Sequence, residues 1–308
     1  MSKEKQHAAQ VAARNFIINN LPAYDSHTHI HDPEFQADYH SVIARAHAAN
    51  IKQMLLPCDD LQSCKRTLSF HASLSAQEKK LVRYALGYHP HAAEDYCLNN
   101  GYAELVKLAG EFSLVARTSS DNSADRFVSD SGKPILAAVG EIGLDYYYDN
   151  SPRALQKRAF YEQLAWAAEL KLPLSIHTRE AFSDTLDILQ SAFKNNLLLS
   201  SPGVIHCYSG SKEFAKRLLE MGFYLGFDGP ITFKNARVAP EVIEYCPLSR
   251  ILIETDAPYL TPEPFRGERN EPANVKLVLQ KIAEIKNVAP EEAARVIYDN
   301  AVRLFGIN

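Results

Sequence analysis

Several features that mark secreted, membrane-spanning and duplex-coating proteins are missing from this sequence of 308 residues. Its five cysteines are odd in number and form no C-x-x-C pair, which argues against a disulfide framework and favours reduced thiols. No stretch approaches the roughly 18 apolar residues that a membrane span requires. The first ten residues also lack the apolar segment of a signal peptide. We therefore expect a cytoplasmic protein.

The charge distribution lacks a strong bias as well. The formal net charge is -4 and no run of five or six Lys or Arg appears, so the sequence does not predict a protein that coats duplex nucleic acid. A nucleic-acid substrate would have to be bound locally. Hydrophobic residues make up 46% of the chain, which is enough for a sizeable core. The length suits one α/β-barrel domain, and nothing in the sequence requires more than a monomer.

Short strand-like runs alternate with longer amphipathic stretches along most of the chain. The eight strand candidates are residues 23–29, 51–57, 82–88, 135–141, 172–178, 203–207, 224–228 and 250–256. Helical patterns lie between them, with apolar residues three and four positions apart. This alternation predicts an α/β fold, a (β/α)8 TIM barrel, as a single domain over 23–308 after a helical lead-in at 1–22. A doubly wound open sheet would give a similar alternation.

One polar stretch, rich in Ser and Asp, interrupts the alternation at residues 119–133, before the fourth strand candidate. We interpret it as an exposed insertion, because such composition is typical of surface loops. No linker indicates a second domain.

The first strand candidate ends in D-S-H-T-H, residues 25–29. Because successive side chains of a strand point to opposite faces, Asp25, His27 and His29 share one face. Polar groups inside an apolar barrel are costly unless they are paired, and a cation bound by neutral imidazoles removes that cost. A pair of hydrogen-bonded core histidines is the alternative, since short motifs of this kind recur by chance.

Four further strand candidates end in a residue type that binds metal. Glu141, His177, His206 and Asp256 each follow an apolar run and precede a turn or a helix. In a barrel this is the C-terminal face, where active sites lie. A single buried His or carboxylate is more often a satisfied core group than a ligand. Their coincidence at several strand ends favours a metal site, and it favours the closed barrel over the open sheet.

This set of residues exceeds the protein ligands that one catalytic cation usually takes. We therefore predict two divalent cations, of Mg, Mn or Zn, bridged by the Glu141 carboxylate. The first would take His27, His29, Glu141 and Asp256, and the second would take Glu141, His177 and His206. Water held there would ionise near neutral pH, with Asp256 placed to orient it and accept its proton.

These residues belong to a longer series of motifs, in the order of a known family. The motifs are D-S-H-T-H (25–29), G-Y-H-P-H (87–91), G-E-I-G-L-D-Y (140–146), H-T-R-E (177–180), H-C-Y-S-G (206–210), E-T-D-A-P-Y-L (254–260) and R-G-E-R-N-E-P (266–272). The sequence thus resembles the TatD-type metal-dependent deoxyribonucleases of the amidohydrolase-like barrels. The resemblance implies a TIM barrel, divalent metal, and hydrolysis of DNA phosphodiester bonds, often from a 3′ end. Tyr88 and Tyr208 stand where the family pattern has Val and Phe, and neither change removes a ligand.

Three residues are candidates for substrate contacts. The resemblance implies that His91 contacts a substrate phosphate. Arg179 follows His177 on the same strand face and is expected to hold a phosphate bidentately. Arg269, on the loop after the eighth strand candidate, is expected to hold the DNA backbone together with Arg266. A loop-structuring histidine, a surface ion pair and a solvated loop are the respective alternatives.

Several neighbours of the predicted ligands have other expected roles. Glu254 and Asp145 are expected to orient ligands rather than to bind metal. Cys207 is expected to point outward into the helix layer and to be inert. Tyr208 or Phe265 would stack on a base, unless these aromatic residues only pack.

Two other functions stay open. An amidohydrolase-type hydrolase of a small amide, lactone or phosphoester would use a related barrel, but such sites commonly bridge their metals with a carboxylated Lys where this sequence has Glu141. A non-catalytic metal-binding scaffold would also keep the barrel, and the complete ligand set argues against it. The sequence does not separate DNA from RNA or short oligonucleotides as the substrate.

Overall fold

The computed structural model describes residues 18, 20–114 and 134–306. The insertion predicted at 119–133 and most of the lead-in predicted at 1–22 lie outside these residues. Among the helices of the described residues, none combines the length and the apolar character needed to cross a membrane.

Eight parallel strands form a nearly closed barrel. They are β1 Ala23–Asp25, β2 Ile51–Pro57, β3 Val82–Leu86, β5 Ile135–Asp145, β6 Leu174–Arg179, β7 Gly203–Ile205, β8 Tyr224–Phe227 and β9 Ile251–Ile253, while the short β4, Ser113–Leu114, pairs with the start of β5. Each barrel strand pairs in parallel with the next. The first and last strands meet where the Ser26 amide donates to the Ile253 carbonyl at 3.0 Å. The predicted TIM barrel is confirmed, and the open sheet is excluded.

Helices surround the barrel and connect its strands. They are α1 Tyr39–Ala48, α2 Leu61–Ser73, α3 Ala76–Lys79, α4 Ala93–Leu98, α5 Gly101–Ala109, α6 Arg153–Leu170, α7 Phe182–Lys194, α8 Lys212–Glu220, α9 Val238–Tyr245, α10 Val275–Lys286 and α11 Pro290–Phe305. Two of them begin with a capping box, in which Asp60 or Ser75 exchanges hydrogen bonds with the third helical residue. These side chains satisfy amide groups that a helix start leaves without partners.

Apolar side chains fill both the barrel and the layer around it. The larger cluster lies between strands and helices and includes Met54 and Leu56 of β2. Leu55, between them on the same strand, belongs instead to a second cluster with side chains of most other strands. Phe305, at the end of α11, packs in this second cluster with its ring 5.8 Å from that of Tyr24. Along β2, the alternation of side chains thus separates an inner core from an outer one.

Strands β5 and β6 approach each other too closely for an ordinary side chain. A Cβ atom on Gly143, whose φ is +142°, would lie 1.9 Å from the His177 carbonyl oxygen. Only glycine adopts this backbone conformation at such a distance without strain. The approach matters for the site, because Glu141 and His177 project from these two neighbouring strands.

Replacing Gly143 tests this close approach. Gly143→Ala is expected to lower the free energy of unfolding by about 3 kcal/mol or more, since the new methyl group overlaps a backbone oxygen. The matched control is Gly267→Ala, where φ is also positive at +97° but nothing lies within 4 Å of the added Cβ. Backbone strain alone should cost it about 1 kcal/mol. Urea denaturation of both variants measures the difference, and equal losses would contradict the proposed clash.

Candidate metal centre

The Glu141 carboxylate lies at the centre of the predicted ligand set. Its Oε1 atom is 2.9 Å from His206 Nε2 and 3.0 Å from His177 Nδ1. Its Oε2 atom is 3.2 Å from His27 Nε2. The two oxygens therefore face different imidazoles, as a carboxylate that bridges two cations would.

Asp256 lies beside the imidazoles of the first strand end. Its Oδ1 atom is 3.4 Å from His29 Nε2 and 3.7 Å from His27 Nε2. The backbone amide of Asp256 donates to the His27 carbonyl at 2.9 Å, which holds the two strand ends together. The facing Nε2 atoms of His27 and His29 are 3.1 Å apart. The structure thus brings all six predicted ligands to one place.

Potential ligand atoms converge in four overlapping groups. The groups are His27, Glu141 and His206; His27, His29 and Asp256; His89, Glu141 and His177; and His29, Asp59 and Glu141, each with its ligand atoms within 4.8 Å of one another. Two of these residues, His89 and Asp59, are absent from the ligand set predicted from sequence. His89 Nε2 lies 3.6 Å from Glu141 Oε1. The available signals were G-Y-H-P-H at the third strand end and P-C-D-D, residues 57–60, at the second.

Each predicted imidazole ligand also has a polar group near its other ring nitrogen. The pairs are His27 Nδ1 with Ser175 Oγ at 3.4 Å, His29 Nδ1 with Asp59 Oδ2 at 3.8 Å, His177 Nε2 with Asp145 Oδ2 at 3.1 Å, and His206 Nδ1 with Glu254 Oε1 at 3.5 Å. The contact of His206 is electrostatic, since no hydrogen bond reaches its Nδ1 atom among the described residues. Metal-binding histidines usually have such partners, which fix the ring and its tautomer.

The electrostatics of the centre favour an ionised carboxylate among imidazoles. Burial raises the pKa of Glu141, but the imidazoles of His206 and His27 outweigh burial and hold this pKa well below its usual range. Burial lowers the pKa of His206, yet Glu141 and Glu254 raise it well above the ordinary value. For His29, burial also lowers the pKa, and the carboxylates of Asp59 and Asp256 raise it to about 10.

These shifts fit a divalent cation. Neighbouring carboxylates raise the pKa values of His206 and His29, which means that they stabilise positive charge at these two imidazoles. Without a metal, bound protons supply that charge. A divalent cation would replace those protons, because metal ligands must be deprotonated to bind. His89 is already suited to this, since burial and then His177 lower its pKa well below the usual value. Imidazole and carboxylate donors together suit Zn, Mn or Fe better than Mg.

The centre opens into a cavity of about 1100 Å³. Tyr148, Arg179 and His91 line one side of it, and apolar residues such as Ile231 and Leu260 also contribute. His91 Nε2 lies 3.2 Å from Asp145 Oδ2. Two of the three residues predicted to contact substrate therefore lie at the cavity.

The third of these residues, Arg269, does not line the cavity. Its guanidinium forms two hydrogen bonds to the Asp38 carboxylate, at 2.9 and 2.7 Å, and a third to the Glu34 carbonyl. It also lies over the Phe35 ring, 4.5 Å from the centroid. Its donors are directed to Asp38 and Glu34 and it does not line the cavity, so the contact of Arg269 with the DNA backbone stays a prediction.

The orientation expected for Cys207 is wrong. Strand β7 ends at Ile205, so the alternation of a strand does not extend to Cys207, whose φ is +45°. Cys207 lines the cavity, and its amide donates to Glu254. Burial, and next Asp228, raise the pKa of its thiol well above the usual value, so the sulfur stays protonated.

Of the two aromatic residues expected to stack on a base, neither has a free ring face at the cavity. Tyr208 lines the cavity but is only 3% exposed, and its hydroxyl donates to the Ser211 carbonyl. Phe265 is exposed and lies outside the cavity lining.

Known proteins resemble this chain in sequence and in fold. The sequence pattern of the family TatD related DNase matches residues 24–306. The uncharacterized metal-dependent hydrolase YabD of Bacillus subtilis is 37% identical over 285 residues, which cover 92% of this chain and 99% of that protein. The 3'-5' ssDNA/RNA exonuclease TatD of Citrobacter rodentium is 31% identical over 290 residues, covering 92% and 98%.

Solved structures agree with the sequence matches. The crystal structure of YJJV, a TatD homolog from Escherichia coli, superposes with a TM-score of 0.78 at 26% identity and covers 93% of this chain and 98% of its own. The match over most of the chain confirms the predicted family. This chain is a metal-dependent hydrolase that belongs to the TatD related DNase family.

Proposed function

We propose that the protein hydrolyses phosphodiester bonds in single-stranded nucleic acid, with DNA as the principal substrate, at a centre of two divalent cations bridged by Glu141. The main support for this proposal is that the two Glu141 oxygens contact different imidazoles. Oε1 faces His177 and His206, while Oε2 faces His27. When bound, such cations neutralise charge on the phosphate and lower the pKa of the attacking water.

Asp256 is suited to accept the proton of that water. Its carboxylate lines the cavity and lies at the edge of the ligand cluster, where 16% of the side chain is exposed. Burial raises its pKa, but the imidazoles of His29 and His27 lower it below the ordinary value, so the group is ionised at neutral pH. An ionised carboxylate within reach of the nucleophile can orient it and act as a general base.

His91 and Arg179 are suited to hold the phosphate on the side of the cavity where both lie. A guanidinium forms paired hydrogen bonds to phosphate oxygens, and an imidazole adds a single donor. This local positive charge would allow a chain whose formal net charge is -4 to bind an acidic polymer.

The cavity, of about 1100 Å³, has room for a nucleotide as well as for a small ester or lactone. The name of the Citrobacter rodentium relative, a 3'-5' ssDNA/RNA exonuclease, supports a nucleic-acid substrate and attack from a 3′ end.

Hydrolysis of a single-stranded oligodeoxynucleotide with a 5′ label tests the activity. Purified protein with Mn²⁺ is expected to shorten the oligonucleotide stepwise, and EDTA should stop this until metal is restored. Asp256→Asn is expected to lower kcat by about 100-fold or more, because an amide does not accept the proton. Asp299→Asn, at an exposed carboxylate of α11, is the matched control. No cleavage with Mg²⁺, Mn²⁺ or Zn²⁺ would contradict the nuclease proposal and favour hydrolysis of small esters and amides.

A second experiment measures metal binding without turnover. Titration of Mn²⁺ into metal-free protein is expected to stabilise it by about 2.7 kcal/mol for each of the two sites whose Kd the free cation exceeds a hundredfold. Glu141→Gln should fold but lose most of this stabilisation, because the neutral amide removes the charge that faces the imidazoles. Glu220→Gln, at an exposed position of α8, should respond as the unaltered protein does. A full metal response in Glu141→Gln would refute the bridging role.

A further inference from the structure

We propose that Tyr147 and Tyr148, with Arg179 lying over them, form a subsite for one nucleotide beside the metal centre. We call the two rings the tyrosine platform. An unpaired base would stack on the Tyr148 ring of the platform, the ring that lines the cavity, while its phosphate meets the Arg179 guanidinium. This subsite rests on the proposed function, and it would give the protein a preference for single-stranded over duplex nucleic acid.

The platform is a pair of exposed aromatic rings next to the site. Strand β5 ends at Asp145, and three tyrosines follow it. The first, Tyr146, turns its hydroxyl to the Asp184 carboxylate at 2.6 Å. Tyr147 and Tyr148 are each 54% exposed, and Tyr148 lines the cavity. Large aromatic side chains that are both exposed and next to a cavity are typical of surfaces on which bases stack.

One carboxylate fixes the platform relative to the metal centre. Asp145 Oδ1 accepts the backbone amides of Tyr147 and Tyr148 at 3.0 and 2.9 Å. Its Oδ2 atom contacts the Nε2 atoms of His177 and His91, at 3.1 and 3.2 Å. Asp145 is 1% exposed, so this link is shielded from water. The backbone of the platform is therefore held in place before substrate binds, which reduces the entropy lost on binding.

Arg179 adds a cation to the rings. Its guanidinium carbon lies 4.1 Å from the centroid of the Tyr147 ring and 4.8 Å from that of Tyr148. The two rings meet edge to face, with centroids 4.9 Å apart and planes at 87°. Arg179 is exposed at the end of β6, two residues after His177. A guanidinium stacked on aromatic rings is oriented but keeps its donors free for a phosphate.

This geometry requires an unpaired nucleotide. In a duplex, a base is held by its pairing partner as well as by stacking, so turning it onto a protein ring costs unpairing and unstacking energy. In a single strand a terminal base offers a free face at little cost. Every base has such a face, so the platform should discriminate by strandedness and only weakly by sequence.

The test is the affinity of the metal-loaded full chain for a fluorescein-labelled oligothymidylate with phosphorothioate linkages, measured by anisotropy. Tyr148→Leu is expected to weaken binding by about 5- to 100-fold, the effect of losing one base–aromatic stack. Tyr148→Phe keeps the ring and should bind within about twofold of the unaltered protein. Tyr161→Leu, at an exposed tyrosine of α6 that does not line the cavity, is the matched control.

A second probe separates stacking from other effects of the substitution. An oligonucleotide with abasic residues at its 3′ end has no base to stack, so the unaltered protein and Tyr148→Leu should bind it equally. Unchanged affinity of Tyr148→Leu for oligothymidylate, in a protein that still hydrolyses single strands, would overturn the platform alone. Weaker binding by Tyr148→Leu, in a protein that hydrolyses no nucleic acid, would support the platform and count against the proposed function.

Discussion

A buried negative charge at Glu141 is the constraint on which the rest of this site depends. An isolated carboxylate at 4% exposure would be very costly, and here His206, His177 and His27 compensate it at 2.9–3.2 Å. Those imidazoles come from three different strand ends, so the barrel has to deliver them to one point. Glycine at position 143, where a methyl group would meet the His177 carbonyl, permits that approach.

The same charge organises the groups around it. Two of the imidazoles that face Glu141, those of His177 and His206, turn their other nitrogens toward further carboxylates, and Asp145 is the most connected of these. It contacts His177 and His91 with one oxygen and the amides of Tyr147 and Tyr148 with the other. One buried side chain therefore contacts a predicted metal ligand, His177, the residue proposed to hold phosphate, His91, and the backbone of the proposed tyrosine platform.

The barrel and the ligand cluster were predictable because both follow from strand geometry. Apolar runs that end in His, Glu or Asp place those side chains at the C-terminal mouth. Features that depend on contacts remote in sequence were not predictable. Arg269 pairs with Asp38, 231 positions away, and the early end of β7 rotates Cys207 into the cavity. His89 follows the end of β3 by three residues, and its nearness to Glu141 depends on the turn there, where the His89 amide donates to the Asp59 carbonyl at 2.8 Å.

Anomalous X-ray diffraction from crystals soaked in Mn²⁺ tests the central claim most directly. The bridging role of Glu141 predicts two anomalous peaks, one on each side of its carboxylate. The first should lie near His27, His29 and Asp256, and the second should lie near His177 and His206. A single peak, or two peaks that do not share Glu141, would contradict the account.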